Sequence, residues 1–176
     1  QELQRALTSL KSQQGVTLDV VIVGNGWNPA EQFPTEKTLH LPENLGIPAG
    51  RNAGVAKVAG EYLFFLDDDA YLEDSHALSS LIEKLKAHHE WGLIQPRVVP
   101  EGAGEIPNRW VPRLRVGDPL KSSPATTLWE GAVILRRHLF EVSVRHAQQQ
   151  LQIAISFLKH RGLDTAAVRG AGEARD

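Results

Sequence analysis

The chain has 176 residues, 41% of them hydrophobic, and a formal net charge of −2, values typical of one ordinary globular domain with a packed core. A charge so close to zero excludes binding to nucleic acid or anionic lipid through a generally basic surface, so a negatively charged ligand needs a local binding device. The sequence contains no cysteine, which excludes disulfides and thiolate metal sites and is compatible with a reducing cytoplasm.

Membrane-spanning and signal-peptide patterns in a sequence indicate where the protein is located. No apolar run approaches the ~20 residues that a membrane helix needs, and no signal-peptide pattern opens the sequence. We therefore expect a cytoplasmic protein, and a peripheral association with the cytoplasmic face of a membrane stays open. Because the chain begins with Gln1 and contains no methionine, we also expect it to be part of a longer protein.

Helical and strand patterns alternate along the chain. Apolar residues recur every three to four positions from Leu3 to Leu10, which predicts a helix, whereas the β-branched run from Leu18 to Val23 predicts a buried strand. The continuous apolar run from Tyr62 to Leu66 is typical of a strand covered on both faces. The predicted elements are, in order, a helix over 3–10, strands over 18–23 and 37–41, a helix over 48–59, a strand over 62–66, a helix over 76–89, a strand over 91–99, an apolar segment over 128–137 and a helix over 147–160.

The order of these elements indicates an α/β/α sandwich with a mainly parallel central sheet. Pro48 fits the first turn of its helix because its missing N–H would be unpaired there. Ser75 is placed to cap the helix that begins at His76. Residues 100–127 are rich in Gly, Pro, Arg and Trp without periodicity, and a connection of that length is either functional or mobile.

Three adjacent carboxylates, Asp67, Asp68 and Asp69, follow the strand over 62–66. Like charges at close range repel unless a cation lies among them, and Mg²⁺ or Mn²⁺ prefers such oxygen ligands. Ligands of open α/β sheets bind outside the carboxyl ends of the strands, where this cluster falls. If the segment stays extended, Asp67 and Asp69 point to one side and Asp68 to the other. On spacing alone, a metal site and a solvated turn are equally open.

Further motifs precede and follow the carboxylates. Asn44-Leu45-Gly46 is followed by Gly50-Arg51-Asn52-Ala53-Gly54 and by the stretch from Ala59 to Asp69, AGEYLFFLDDD. These segments resemble the N-x-G pair, the arginine-asparagine pair and the G-E-Y-hydrophobic-D-x-D strand of family 2 glycosyltransferases, which have the GT-A fold. The stretch from Gly131 to Arg137, GAVILRR, is similar to the family's G-A-x-hydrophobic-R-R strand. The resemblance implies a Rossmann-like GT-A domain over 1–140, with 141–176 as a C-terminal helical segment of the same domain.

The same resemblance implies a donor site for a nucleoside diphosphate sugar. Asp69 would be the main ligand of Mn²⁺ or Mg²⁺, with Asp67 in support, and Asp68 would contact the ribose or the shell around the metal. Arg51 would lie beside the nucleotide, where a planar cation can meet a phosphate or a base edge, and Asn52 would order the adjacent loop. A solvated residue at a helix start is the plainer alternative for Arg51.

One segment departs from the family pattern. Gly24 stands where the resemblance places an aspartate that meets the base, and Trp27 stands in place of a serine, while Asn25 is retained. We predict Asn25 as a base contact, and an ordinary Asn-Gly turn is its alternative.

The catalytic base and the acceptor site are less clearly marked. The resemblance implies a first strand before Gln1 and an acidic pair some tens of residues after Arg137, yet nothing after Phe140 matches that pair. Glu130, the only carboxylate beside the Gly131 strand, is the candidate for a catalytic role. Trp110 and Trp129, with three nearby arginines, form either an acceptor platform or the packing of a long loop; the arginines are Arg109, Arg113 and Arg115.

The function implied is transfer of a hexosyl or deoxyhexosyl group from the donor to a hydroxyl of a saccharide, glycolipid or other acceptor, with inversion. Such a reaction belongs to polysaccharide or glycolipid biosynthesis and needs no nucleic-acid partner. Two alternatives remain: a non-catalytic or incomplete nucleotide-sugar-binding domain, and a D-x-D aspartyl phosphatase or phosphotransferase. The phosphatase motif has Thr or Val at the position where this sequence has Tyr71. A sugar-nucleotide pyrophosphorylase would share the fold.

Overall fold

The computed structural model describes residues 1–102 and 131–143. These fall into two units, with residues 1–102 and 131–137 in the first and residues 138–143 in the second. In the second unit, residues 138–143 are helical, and the predicted helix over 147–160 lies outside the described residues. The inclusion of 141–176 in the same domain stays a prediction. The elements of the first unit are helix α1 (Glu2–Lys11), strand β1 (Ile22–Asn25), a 3₁₀ turn (Pro29–Glu31), strand β2 (Thr38–Leu41), helix α2 (Ile47–Val55), strand β3 (Tyr62–Leu66), helix α3 (Ala77–Ala87), strand β4 (Leu93–Ile94) and strand β5 (Ala132–Arg136).

The strands form two hydrogen-bonded groups. Strands β1 and β2 pair in parallel, with Ile22 opposite Thr38. In the other group, β5 lies between β3 and β4 and runs antiparallel to both, so β3 and β4 point the same way. Leu66 of β3 is opposite Ala132 of β5, which brings the end of β3 next to the start of β5. The α/β class is confirmed, and β5 is the strand that reverses the common direction of its neighbours.

The main core packs α3 against β5. Helix α3 contributes Leu78, Leu81 and Leu85, which meet Ile134 of β5. Leu85 and Ile134 are almost completely buried. Partly buried residues of α1 and β3 pack against this cluster. The core therefore forms where the apolar faces of these helices and strands meet.

Three local expectations need correction. Ser75 does not cap α3: its hydroxyl contacts the His76 ring, and the side chain of Gln13 accepts the Leu78 N–H instead, at 3.0 Å. The strand predicted over 91–99 is reduced to Leu93–Ile94, because Pro96 has no N–H to donate to a neighbouring strand. Helix α2 ends at Val55, earlier than the predicted Ala59.

Across residues 1–102 and 131–143, no helix is long and apolar enough to cross a membrane.

Candidate functional site

The carboxylates stand on a turn rather than on a continued strand. The Asp67 N–H donates to the Gly131 carbonyl at 2.9 Å, which is the last pairing contact of β3. The Ala70 N–H then donates to the Asp67 carbonyl at 3.1 Å, closing a turn that leaves Asp68 and Asp69 exposed. The alternation of an extended chain therefore ends at Asp67, so the predicted placement of Asp67 and Asp69 on one side and Asp68 on the other, which requires an extended segment, does not apply.

Arg51 is joined to Asp67 by an ion pair. Its Nη2 donates to Oδ1 of Asp67 at 2.9 Å, and its side chain is 18% exposed. The guanidinium carbon lies 5.6 Å from the centre of the Phe65 ring, within reach of a cation–π contact. Arg51 is one turn inside α2 rather than at its first residue. A partly buried, charge-assisted contact of this kind fixes the cation beside the carboxylate turn.

The side chain of Asn25 holds the loop before α2. Its amide nitrogen donates to Oδ1 of Asn44 and to the Gly46 carbonyl, each at 3.0 Å. Its amide oxygen accepts the Leu45 N–H at 2.8 Å. Both amide hydrogens are thus used within the protein, so Asn25 shapes the Asn44–Gly46 loop directly. Its predicted contact with a base stays a prediction.

A cleft of about 550 Å³ joins these groups. Its lining comes mostly from apolar residues of α1, α2, α3, β1 and β3, with Ile134 of β5. Its polar end is formed by Asn25, Arg51, Asp67 and Asp68, since the Asn25 side chain lies beside Gly50 and Arg51 pairs with Asp67. Trp27 and Ile47 also line the cleft.

The structure brings only part of the predicted site together. Asn25, Arg51, Asp67 and Asp68 share the cleft, whereas Asp69 and Asn52 are exposed and do not line it. The other site predictions lie outside the described residues, namely Glu130, Trp110, Trp129 and the arginines near them. Sequence reasoning did not foresee the Arg51–Asp67 pair or the place of Ile47 in the cleft. The sequence shows only that Ile47 is an apolar residue just before Pro48, which does not by itself place it in a cleft.

Two arginines at the end of β5 bind the ends of neighbouring helices. Arg136 donates to the carbonyls of Leu85 and Trp91, at 2.5 and 3.1 Å. Arg137 donates to the carbonyl of Val55, the last residue of α2, at 3.5 Å, and to those of Val58 and Gly60 beyond it, at 2.9 and 2.5 Å. Helix C-termini leave carbonyls without intrahelical partners, and a guanidinium satisfies several of them at once. The arginine pair therefore has a structural role in the described fold and fixes the end of the helix that carries Arg51.

Helix α1 is tied to the segment beyond the carboxylates. The Arg5 guanidinium makes two hydrogen bonds to the Glu101 carboxylate, at 2.7 and 2.8 Å, and lies 3.6 Å from the centre of the Tyr71 ring. The hydrogen bond from Arg5 lowers the pKa of Glu101 below its ordinary value. Tyr71 follows Asp69 by two residues, so this contact holds the far side of the carboxylate turn.

The carboxylate turn suits a divalent cation whose coordination shell is completed by oxygen atoms of a bound ligand. Within residues 1–102 and 131–143, no three acidic or histidine side chains converge on one point. Mg²⁺ commonly takes only one or two carboxylates and completes its shell with phosphate oxygens and water. Asp68 and Asp69 are exposed carboxylates on one turn, and they match that pattern. Asp67 is paired with Arg51, and its role as a metal ligand stays a prediction.

Comparison with solved structures identifies the fold. The chain is similar to S. aureus TarS 1-349, with a TM-score of 0.60 and 20% identity over 81% of this chain and 45% of that one. It is also similar to the mannosyltransferase PcManGT from Pyrobaculum calidifontis in complex with GDP-Man and Mn²⁺, with a TM-score of 0.54 and 15% identity over 80% of this chain and 42% of that one. The chain spans less than half the length of either structure.

These neighbours and the carboxylate turn at the end of β3 define a GT-A domain of the α/β class. The sequence profile of glycosyl transferase family 2 matches residues 1–143. The chain belongs to glycosyl transferase family 2. No curated protein matches its sequence closely enough to count as a relative.

Proposed function

We propose that this domain binds the nucleoside diphosphate sugar of a metal-dependent, inverting glycosyltransferase that acts in the cytoplasm or at the cytoplasmic face of a membrane. The observation that supports the proposal is the arrangement at the polar end of the cleft. A fixed cation, Arg51, lies beside Asp67, and two exposed carboxylates follow on the same turn. Cationic and anionic groups at the carboxyl end of a strand suit a diphosphate and its metal ion.

The charged residues of this chain would bind different parts of the donor and its metal ion. Arg51, held by Asp67 at 2.9 Å, presents a planar cation to a phosphate or a base edge. Asp68 and Asp69 would hold Mn²⁺ or Mg²⁺. The bound cation would neutralise the leaving diphosphate as a Lewis acid. Asn25 keeps the Asn44–Gly46 loop in place at the mouth of the cleft, and a fixed loop lowers the entropy that the donor must lose to be oriented.

The remaining chemistry belongs to groups beyond the described residues. In-line attack by an acceptor hydroxyl on the anomeric carbon forms the new glycosidic bond, breaks the bond to the diphosphate and inverts the configuration. A carboxylate base with a pKa near the working pH takes the hydroxyl proton, and Glu130 is the candidate. Trp110 and Trp129 are candidates for contact with the acceptor, a saccharide, a glycolipid or another hydroxyl compound. The transferred group would be a hexosyl or deoxyhexosyl residue.

The donor site is tested by titration calorimetry with UDP-, GDP- and dTDP-sugars, with and without MnCl₂. We expect at least one donor to bind more tightly with Mn²⁺. Asp68→Asn and Asp69→Asn should each weaken the metal-dependent binding by about tenfold or more, a loss of about 1.4 kcal/mol or more. Glu83→Gln is the matched control, because Glu83 is an exposed carboxylate on α3. A donor affinity that changes neither on addition of Mn²⁺ nor in the Asp69→Asn variant would contradict the proposal.

A further inference from the structure

The turn that carries the exposed carboxylates is fastened on both sides. At its start, the Asp67 N–H donates to the carbonyl of Gly131, just before β5, at 2.9 Å. Beyond its end, the Leu72 N–H donates to the hydroxyl of Ser9 on α1 at 3.1 Å. A short segment held at both ends has few conformations left to it, so the places of the two exposed carboxylates depend on both contacts.

The contact from Ser9 is one of several made by a polar stripe on the first helix, formed by Arg5, Ser9 and Gln13. These residues are four apart, a spacing that places side chains on one face of a helix, and Gln13 follows the last residue of α1 by two positions. The polar stripe contacts residues 71–78, the segment that leads from the carboxylate turn into α3.

The other two members of the polar stripe contact further parts of this segment. The Arg5 guanidinium lies 3.6 Å from the centre of the Tyr71 ring. The Gln13 amide nitrogen donates to the Asp74 carbonyl at 2.8 Å, and its amide oxygen accepts the Leu78 N–H at 3.0 Å. Because the segment has no helix or strand before α3, part of its backbone takes its hydrogen-bond partners from the polar stripe.

The two uncharged members of the polar stripe are buried. Ser9 is 8% exposed and Gln13 is 9% exposed, and within residues 1–102 and 131–143 no other polar side chain is buried as deeply. Water cannot readily replace a hydrogen bond that is lost at a buried position. Removing either side chain therefore leaves backbone groups of the segment after the carboxylate turn without a partner and lets that segment move.

We propose that Ser9 and Gln13 are positioning residues for the metal ion of the donor complex, because they hold the segment that fixes Asp68 and Asp69. The inference rests on the proposed function of the carboxylate turn. Neither Ser9 nor Gln13 lines the cleft, so both act through the backbone of residues 72–78. Their loss weakens the part of nucleotide binding that depends on the metal ion and spares the part that does not.

The test is calorimetry of the full chain with UDP and with GDP, at a series of MnCl₂ concentrations that includes none. In Ser9→Ala and in Gln13→Leu, the MnCl₂ concentration that gives half of the maximal nucleotide binding should rise by about tenfold or more, as when an indirect partner of a metal ligand is lost. The affinity measured without Mn²⁺ should stay unchanged, because the cleft keeps its lining. A loss of stability alone would lower the urea midpoint without moving the Mn²⁺ requirement.

Thr8→Ala is the matched control. Thr8 is also on α1, and its hydroxyl likewise donates to a carbonyl of the same helix, that of Gln4, at 2.8 Å. That hydroxyl is exposed and makes no hydrogen bond to residues 71–78, so Thr8→Ala should leave the Mn²⁺ requirement unchanged. If Gln13→Leu does not fold, Ser9→Ala carries the test, since it removes fewer hydrogen bonds.

The failure of this inference is distinct from the failure of the proposed function. A Mn²⁺ requirement that rises in Asp69→Asn but not in Ser9→Ala overturns the positioning role and leaves the proposed function standing. An equal loss of nucleotide affinity with and without Mn²⁺ in Ser9→Ala also overturns it, because the damage would then not be confined to the metal site. Nucleotide binding by the unchanged chain that does not depend on Mn²⁺ overturns both.

Discussion

At the scale of single residues, Gly24 has the closest surroundings of any glycine in the described part of the chain. Its missing side chain lets the loop from Asn25 to Pro29 fold back over β1, and the nearest atoms are a carbonyl oxygen and a proline ring. Gly54 is also close to a neighbour, yet what its Cβ would meet at 2.9 Å is a methyl group of Val23. The first contact is rigid, whereas the second can shift with a side chain.

We expect Gly24→Ala to lower the free energy of unfolding by about 1–3 kcal/mol, as overpacking against rigid atoms does. Gly54→Ala should cost less, because the Val23 side chain can move and alanine favours the helix by about 1 kcal/mol over glycine. Urea denaturation followed by circular dichroism measures both. An equal loss of unfolding free energy in the two variants would show that the loop over Gly24 can move to make room for a side chain.

At the scale of elements, the chain is held by polar contacts that join segments far apart in sequence. Asp19, which precedes β1, forms an ion pair with Lys37 just before β2. It also accepts the Ala59 N–H at 2.8 Å, in the connection after α2. The hydrogen bonds from Lys37 and from Ala59 lower the pKa of Asp19 below its ordinary value of 3.8. One carboxylate therefore connects the segments before β1, before β2 and after α2.

The pKa shift gives a stability that depends on pH. A carboxyl with a lowered pKa in the folded state stabilises the fold fully above its ordinary pKa, and the stabilisation is lost as the pH falls below that value. Asp19→Asn should therefore reduce the urea midpoint at pH 7, and the difference from the unchanged chain should shrink below about pH 3.8. Glu83→Gln serves as the control and should show no such trend. A pH-independent difference for Asp19→Asn would contradict this account.

At the scale of the whole molecule, the core and the cleft share part of their lining, because Leu78 and Ile134 of the core cluster also line the cleft. The core lies between α3 and β5, where Leu85 and Ile134 are almost completely buried. The site lies at the carboxyl ends of β1 and β3, where side chains are partly exposed. Leu85 belongs to the core but does not line the cleft, so its substitution changes stability without removing a cleft residue.

Leu85→Ala should lower the free energy of unfolding by about 2–5 kcal/mol, because it removes a fully buried side chain and leaves a cavity. Leu93→Ala is the matched control. Leu93 is 39% exposed, so the loss should be well below that of Leu85→Ala. Thermal and urea unfolding measure both variants, and nucleotide affinity below the unfolding range should stay unchanged. Similar costs for the two leucines would show that α3 does not pack as described.

Local sequence patterns determined much of this protein. The apolar run over 62–66 is strand β3 as predicted, the spacing over 3–10 lies within α1, and the carboxylates follow β3 directly. These features depend on periodicity and on neighbours in the chain, which a sequence displays. The family motifs also placed Arg51, Asp67 and Asp68 in one site, and the cleft contains all three.

Only the tertiary structure decided which distant residues meet. The Arg51–Asp67 ion pair, the place of β5 between β3 and β4 and the loop that closes over Gly24 all join segments that no local pattern connects. Strand pairing and ion pairs of this kind depend on the geometry of the complete packing, because the atoms involved approach only after the elements have assembled. The same reason explains why Gln13, which follows α1, rather than Ser75, accepts the N–H of Leu78.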